Sequence, residues 1–276
     1  QALAIKGTGI FKYNNQIYQS INYDNLIEPD LHSYWAGLRM ELVFDNTRNP
    51  MKNIYYGLRY KFFGEYYQGI NNKDVNLITV GGDIRHYSRI HRTFIWANRF
   101  AFGTSFGSTR LIYYLGGVDN WFMPSFDYTN PISDRVEYGF QTLATNMRGF
   151  KQNIRNGNIF AVWNSELRFP VFRYLMNRPI KSEILNNFQL IGFGDLGSAF
   201  MGLNPYAEEN IVVPETYYQK PILVTLKTPR NPLVGGVGAG LRTVILGYFI
   251  RFDVAWGIEE GRWHKPRYYL SFSLDF

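Results

Sequence analysis

The C-terminus alternates strictly between two kinds of residue. Tyr268, Leu270, Phe272, Leu274 and Phe276 fall on one face of an extended chain; Arg267, Tyr269, Ser271, Ser273 and Asp275 fall on the other. The preceding segment repeats the pattern. Tyr248, Ile250, Phe252, Val254 and Trp256 face one way, and Phe249, Arg251, Asp253, Ala255 and Gly257 the other. A period of two belongs to β-strands whose faces meet different surroundings, and it excludes an amphipathic helix. A soluble sandwich or lipocalin-like barrel would pair a small apolar interior with a charged exterior. Here the non-apolar face mixes Arg, Asp, Ser and Gly, which suits a wetted interior.

The pattern recurs along the chain. Strands are expected at 34–45, 54–67, 77–88, 93–106, 159–170, 188–200, 233–246, 248–258 and 266–276, with a further one within 4–13. Aromatic residues make up 18% and charged residues 18%, yet mean hydropathy is only −0.23. Soluble domains carry about 25% charged residues. No uncharged apolar run approaches the roughly 20 residues of a membrane-spanning helix. If the chain enters a membrane it does so as strands, and strands in lipid must close into a barrel to satisfy their backbone groups. The expected fold is therefore all-β: a transmembrane antiparallel β-barrel over 1–276, with about nine or ten strands in this chain. Segments 107–158 and 201–232 are much longer than the other links. Barrels of this type have short periplasmic turns and long outer loops, so both are expected outside. Trp121, Phe122, Phe126 and Tyr128 in the first could pack on one another or rest on lipid headgroups.

Other chemistry is poorly represented. With no cysteine there is no disulfide framework or thiolate metal site. His32, His86, His91 and His264 are dispersed without metal-ligand spacing. Gly235, Gly236, Gly238 and Gly240 lack the Gly-Lys-Ser/Thr ending of a phosphate loop, and such glycines in a strand mark a bend or a thin wall. There is no Gly-x-Ser-x-Gly. No catalytic site, metal or cofactor is expected. The net charge of +7 comes without Lys/Arg runs longer than two, which argues for anionic lipid headgroups or scattered solubilising charge rather than nucleic acid.

Four strings stand in order: Phe44-Asp45-Asn46-Thr47-Arg48-Asn49-Pro50, Met147-Arg148-Gly149-Phe150, Ser165-Glu166-Leu167-Arg168-Phe169-Pro170 and Gly194-Asp195-Leu196-Gly197. The alternating C-terminal strand follows. Each string is weak alone; jointly, over 38–276, they resemble the BamA/TamA superfamily of outer-membrane assembly and translocation barrels, also called bacterial surface antigens. Glu166 shares strand parity with Asn164 and Arg168, opposite Trp163, Leu167 and Phe169, and so faces inward. The resemblance implies that the loop bearing Arg148 folds into the lumen, where its guanidinium pairs with Glu166 and Asp195 while Gly149 and Phe150 pass close to the wall. Such a planar fork can bond two carboxylates at once. The alternative is an exposed, unpartnered loop arginine. Two departures stand out. Asp195 shares parity with Ile191 and Phe193, so either the inner face carries an aromatic patch or a bulge near Gly192/Gly194 resets the alternation. Tyr114-Leu115-Gly116-Gly117 resembles the family's segment just before the Arg-Gly-aromatic motif, but here 118–146 intervenes as an insertion.

The family barrel has sixteen strands, so the chain is expected to be the C-terminal portion of a longer protein; it begins at Gln1 without Met or signal peptide. The resemblance implies a non-enzymatic protein of the Gram-negative outer membrane, taking lipids and unfolded outer-membrane clients as partners, with the strand Tyr268, Leu270, Phe272, Leu274, Phe276 as its assembly strand. A membrane anchor or docking subunit of a larger envelope complex is the alternative, because the aromatic-rich style is similar to Bacteroidota surface-antigen barrels that follow a propeller domain. A barrel fused to an upstream patatin-like lipase and a passive porin are further readings.

Overall fold

The computed structural model describes residues 9–13, 16–20, 34–70, 74–130, 138–176, 178–219 and 222–274. In chain order its strands are β1 (Gly9–Tyr13), β2 (Gln16–Ser20), β3 (Trp35–Asp45), β4 (Arg48–Met51), β5 (Ile54–Gly69), β6 (Asn76–His91), β7 (Phe94–Phe106), β8 (Arg110–Leu115), β9 (Tyr138–Leu143), β10 (Arg155–Gly157), β11 (Ile159–Phe169), β12 (Gln189–Phe200), β13 (Val212–Gln219), β14 (Ile222–Pro229), β15 (Leu233–Ile245), β16 (Tyr248–Glu259), β17 (Arg262–Trp263) and β18 (Arg267–Ser271). Three single-turn helices, α1 (Val171–Leu175), α2 (Glu183–Asn186) and α3 (Glu208–Ile211), lie in the links.

Eleven strands form one sheet, in the order β17-β16-β15-β12-β11-β7-β6-β5-β3, with β4 also on β5 and β18 also on β16. Because β3 and β4 share one edge of β5, and β17 and β18 one edge of β16, the sheet has nine strand positions. Every neighbouring pair is antiparallel. Among the described residues the sheet does not close on itself. With nine positions, direct closure would bring β3 and β18 together in parallel, so an antiparallel ring needs an odd number of further strands.

Antiparallel order sends successive links to opposite rims. Tight turns at 51–54, 91–94 and 245–248 share one rim with the link that holds α1 and α2. Both long segments, 107–158 and 201–232, leave from the other rim. The hairpins follow from turn chemistry: Leu246-Gly247 (φ 50° and 84°) and Glu260-Gly261 (φ 53° and 73°) place both central residues at positive φ, the mirror-image turn whose twist matches paired strands. The Phe44–Pro50 string runs from the end of β3 into β4. There Asp45 accepts from Thr47 N–H at 2.9 Å, and Asn46 Oδ1 accepts from Leu58 N–H opposite the kink at Gly57 (φ 118°).

The two faces of the sheet differ sharply. One is bare: Leu38, Met40, Leu42, Phe62, Phe100, Trp163, Leu196, Leu241, Phe252, Trp256 and Tyr268 are all exposed on it. The other, except along β3, is covered by the first long segment, whose β8 pairs antiparallel with β10 and parallel with β9 in a small separate sheet. The core sits between this segment and the covered face, with Leu111, Tyr113, Leu115, Met147, Phe150 and Ile154 packed on Leu77, Ala101, Phe160, Val162, Ala199 and Val234.

Three expectations need correction. The strand expected within 4–13 is not part of the large sheet: β1 pairs with β2, its neighbour in the chain, in a separate two-stranded sheet. The terminal ladder ends at Ser271, paired with Arg251, although β16 runs on to Tyr248; Phe272 and Leu274 follow outside the strand, and Phe276 lies outside the described residues. The polar face is not simply wetted, since Glu166, Arg168, Asp195, Arg242, Arg251 and Asp253 are all buried. Each lies against opposite charge, Asp195 against Arg148, Glu166 against Arg168, and Asp253 against both Arg242 and Arg251, which makes that burial tolerable.

Candidate functional site

The second long strand pair sets the site. In β11, Asn164, Glu166 and Arg168 point to the covered face; in β12, Ile191, Phe193 and Asp195 do the same. The β11–β12 and β12–β15 ladders run without a register shift past Gly192 and Gly194. Of the two alternatives for Asp195, the aromatic patch is therefore the one present. Phe193 is that patch, and it has a use: the Arg148 guanidinium carbon lies 3.6 Å above its ring centroid. A desolvated cation over an aromatic face is worth about 2 kcal/mol.

Arg148 is held on all sides. Its Nε donates to Asp195 Oδ2 and its Nη2 to Asp195 Oδ1, both at 2.7 Å, while Nη1 donates to Glu166 Oε1 at 2.7 Å. Its backbone N–H also donates to Asp195 Oδ2, at 3.1 Å. Each carboxylate is shared onward. Arg168 Nε donates to Glu166 Oε2 at 2.9 Å, and Asn164 Nδ2 donates to Asp195 Oδ1 at 2.8 Å. Two arginines thus balance two carboxylates in a space that excludes water. Burial works against the charge on Arg148; Asp195 and then Glu166 outweigh it, so its pKa sits above the ordinary arginine value.

The rest of the motif fits the wall through missing side chains. Gly149 adopts φ 100° and lies against the backbone of Gly257; its N–H donates to Tyr269 Oη at 2.8 Å, and that hydroxyl donates to Phe150 O at 2.8 Å. A Cβ on Gly236 would stand 2.0 Å from Arg148 O, and one on Gly257 2.5 Å from the Phe150 ring. The glycine-rich segment of β15 is thus a thin stretch of wall on which the loop is seated. Gly236→Ala is expected to expel the loop, costing about 1–3 kcal/mol by overpacking. Gly235→Ala, on the bare face with its nearest neighbour 3.8 Å away, should be silent. Limited proteolysis within 141–158 distinguishes the two: equal cleavage rates would reject the seat.

The insertion 118–146 leaves this arrangement in register because its ends meet. Gly117 and Met147 form an antiparallel bridge, with Met147 N–H donating to Gly117 O at 3.0 Å, and Asp119 N–H donates to Asn146 Oδ1 at 2.6 Å. Its aromatics do not simply pack on one another. Phe126 lies against Tyr114 and Tyr128, but Trp121 and Phe122 reach the terminal strand, 4.7 Å from Tyr269 and 6.4 Å from Phe272 between ring centroids.

Sequence reasoning missed several participants. Tyr269 is an aromatic on the polar face of β18, and that misplaced parity was the available signal. Arg242 and Asp253 form a second buried pair, Nη1 to Oδ1 at 2.7 Å and Nη2 to Oδ2 at 3.2 Å, on the covered faces of β15 and β16. At the opposite edge a ladder of charges crosses β3, β5, β6 and β7: Arg39 to Glu65 at 2.9 Å, Lys61 to Glu41 at 2.9 Å, and Asp83 to Arg85 and Arg99 at 2.7 and 2.6 Å. The recurring same-parity charges in these strands were its signal.

The charged groups of the arrangement are held by one another. Among the described residues no group of acidic, histidine or cysteine side chains could hold a metal ion. The arrangement instead fixes the position of a loop against a wall. No protein-family model matches the chain, and no curated protein matches it.

Proposed function

We propose that this sheet is part of the wall of an outer-membrane β-barrel of the insertion or translocation type, with the Arg148 loop locked inside its lumen. The observation that carries the reading is the inverted burial of the sheet. Trp163 and Leu167 are 48% and 44% exposed, whereas Glu166 between them is 1% exposed and Asp253 is 0% exposed. A water-soluble protein rarely exposes apolar patches beyond a few hundred Å², and here the bare apolar face extends over all nine strand positions. Lipid against that face removes the difficulty. Two of the bare-face tryptophans also spend their N–H groups within the sheet, Trp96 on Ser165 at 2.8 Å and Trp163 on Asn98 at 3.3 Å, as suits an apolar solvent.

Strand parity supports a larger ring. Seven further strands would bring nine positions to the sixteen of the family barrel and preserve antiparallel closure. The ordered motifs support the family reading, since the Arg-Gly-Phe string, Glu166 and Asp195 meet at one point. Mechanistically, the terminal strand would form a weak seam, and a client strand would add to it by backbone pairing, with nothing hydrolysed. The docking-subunit reading draws on the second long segment, whose β13–β14 hairpin pairs with no other strand among the described residues and leaves from the same rim as the first.

The membrane part is tested on the bare face at mid-strand. Leu196→Arg is expected to cost about 2–4 kcal/mol in the bilayer core and to lower the urea midpoint in lipid vesicles. On a water-bathed surface the same change stays within about 0.5 kcal/mol, and that outcome would reject lipid contact. Depletion separates the two roles: loss of an insertase lowers many barrel proteins at once, and loss of a docking subunit disrupts one complex.

A further inference from the structure

We propose that Trp121 and Phe122 form a latch on the outer edge of β18, occupying the position where an incoming strand would add; this rests on the strand-addition reading above. One edge of β18 is paired to β16. On the other, Phe122 N–H donates to Leu270 O at 2.7 Å, and Trp121 forms an antiparallel bridge with Ser271. The side chains continue the alternation of the sheet. Trp121 packs on Tyr269, on the covered face, at 4.7 Å; Phe122 meets Phe272, on the bare side, edge-on at 6.4 Å and 89°. Two loop residues thus imitate a short additional strand.

An unpaired strand edge is a template for any extended chain. The latch uses the Leu270 carbonyl, one of the acceptors that an added strand needs, so the two compete for the same site. Because the contact is only two residues long, a longer strand that offers several hydrogen bonds can displace it. The latch is also tied to the lock. Tyr269 carries Trp121 on its ring and holds Gly149 and Phe150 through its hydroxyl, and the bridge between Gly117 and Met147 joins the insertion to the residue beside Arg148. Withdrawal of 118–122 therefore loosens the seat of the Arg148 loop, and an incoming strand is felt inside the wall.

Residues 1–276 contain no cysteine, so an engineered pair meets no competing thiol within this part of the protein. Phe122→Cys with Leu270→Cys should form a disulfide under mild oxidation in the full-length protein in its native membrane, since directly paired antiparallel residues lie about 5.5 Å apart at Cα, within bridging range. With a photoreactive residue replacing Tyr268, a synthetic peptide of the 262–276 sequence serves as the strand probe. The oxidised protein should capture little peptide, and reduction of the same sample should restore capture several-fold. Trp121→Gly with Phe122→Gly should exceed the unmodified protein. Failure to form the disulfide, or equal capture before and after reduction, overturns the latch. If the Leu196→Arg test excludes lipid while reduction still gates capture, the latch stands and the membrane reading falls. If the protein lies in lipid and capture ignores the disulfide, the latch alone falls.

Discussion

Replacing Arg148 by alanine is expected to destabilise the protein by about 3–5 kcal/mol, because it strands Asp195 as a buried carboxylate and removes one of the two cations that hold Glu166. The loss is not of one contact. Arg148 contributes three charge-assisted side-chain hydrogen bonds and the cation above Phe193, and it supplies half the positive charge of the cluster. Arg168 remains, but it faces Glu166 and cannot replace the bond to Asp195. The readouts are a lowered urea midpoint, loss of heat-resistant migration in gels, and new protease cleavage between 141 and 158. Arg148→Lys should recover only a fraction, since a single ammonium lacks the fork that bridges two carboxylates. If the alanine variant keeps its midpoint and its cleavage pattern, the lock does not hold the loop.

Asp253→Ala should be comparably severe, at about 3–5 kcal/mol, and for the opposite charge. Asp253 is the carboxylate that Arg242 grips with both terminal nitrogens, and Arg251 approaches it to 4.0 Å. All three side chains are buried between β15 and β16. Removing Asp253 takes from Arg242 the carboxylate it grips with two nitrogens, and from Arg251, which stands opposite Arg242 in the ladder, a nearby opposite charge. Asp253→Asn keeps the shape and part of the hydrogen bonding but not the charge, so it should fall between alanine and the natural residue in urea titration. Equal midpoints for Asn and Asp would show that shape alone matters there. Because the Arg148 cluster and this pair lie on the same face, the double substitution tests their coupling: additive losses would mean two independent units.

Much of the wall was legible in the sequence, for a local reason. Alternation from Tyr248 to Trp256 reports the two sides of one strand and needs no knowledge of its neighbours. The expected strands at 54–67, 159–170 and 248–258 therefore lie within a residue or two of β5, β11 and β16. The same rule failed inside the long segments. In β8, Leu111, Ile112, Tyr113 and Leu115 are all buried, because this strand packs against the wall while pairing within its own small sheet, and alternation disappears. β13 and β14 lie inside 201–232, which the sequence reading assigns to a long outer loop.

The candidate site was legible only in outline. Glu166 could be placed on the inner face by parity alone, and Arg148 was linked to it by resemblance. Its seat was not. That Gly236 must lack a side chain for Arg148 O to pass, and that Tyr269 carries the hydroxyl between Gly149 and Phe150, depend on which strands lie side by side and in what register.

The sequence by itself determined the class of structure: a period of two, repeated from 34 to 274, commits the backbone to strands with unlike faces, because side chains on a pleat must alternate. Only the tertiary structure decided which charges meet, that the inner aromatic patch is real, and that the ends of the insertion close on Gly117 and Met147. Those outcomes join residues far apart along the chain, and pairing register, which no local pattern encodes, brings them within bonding distance.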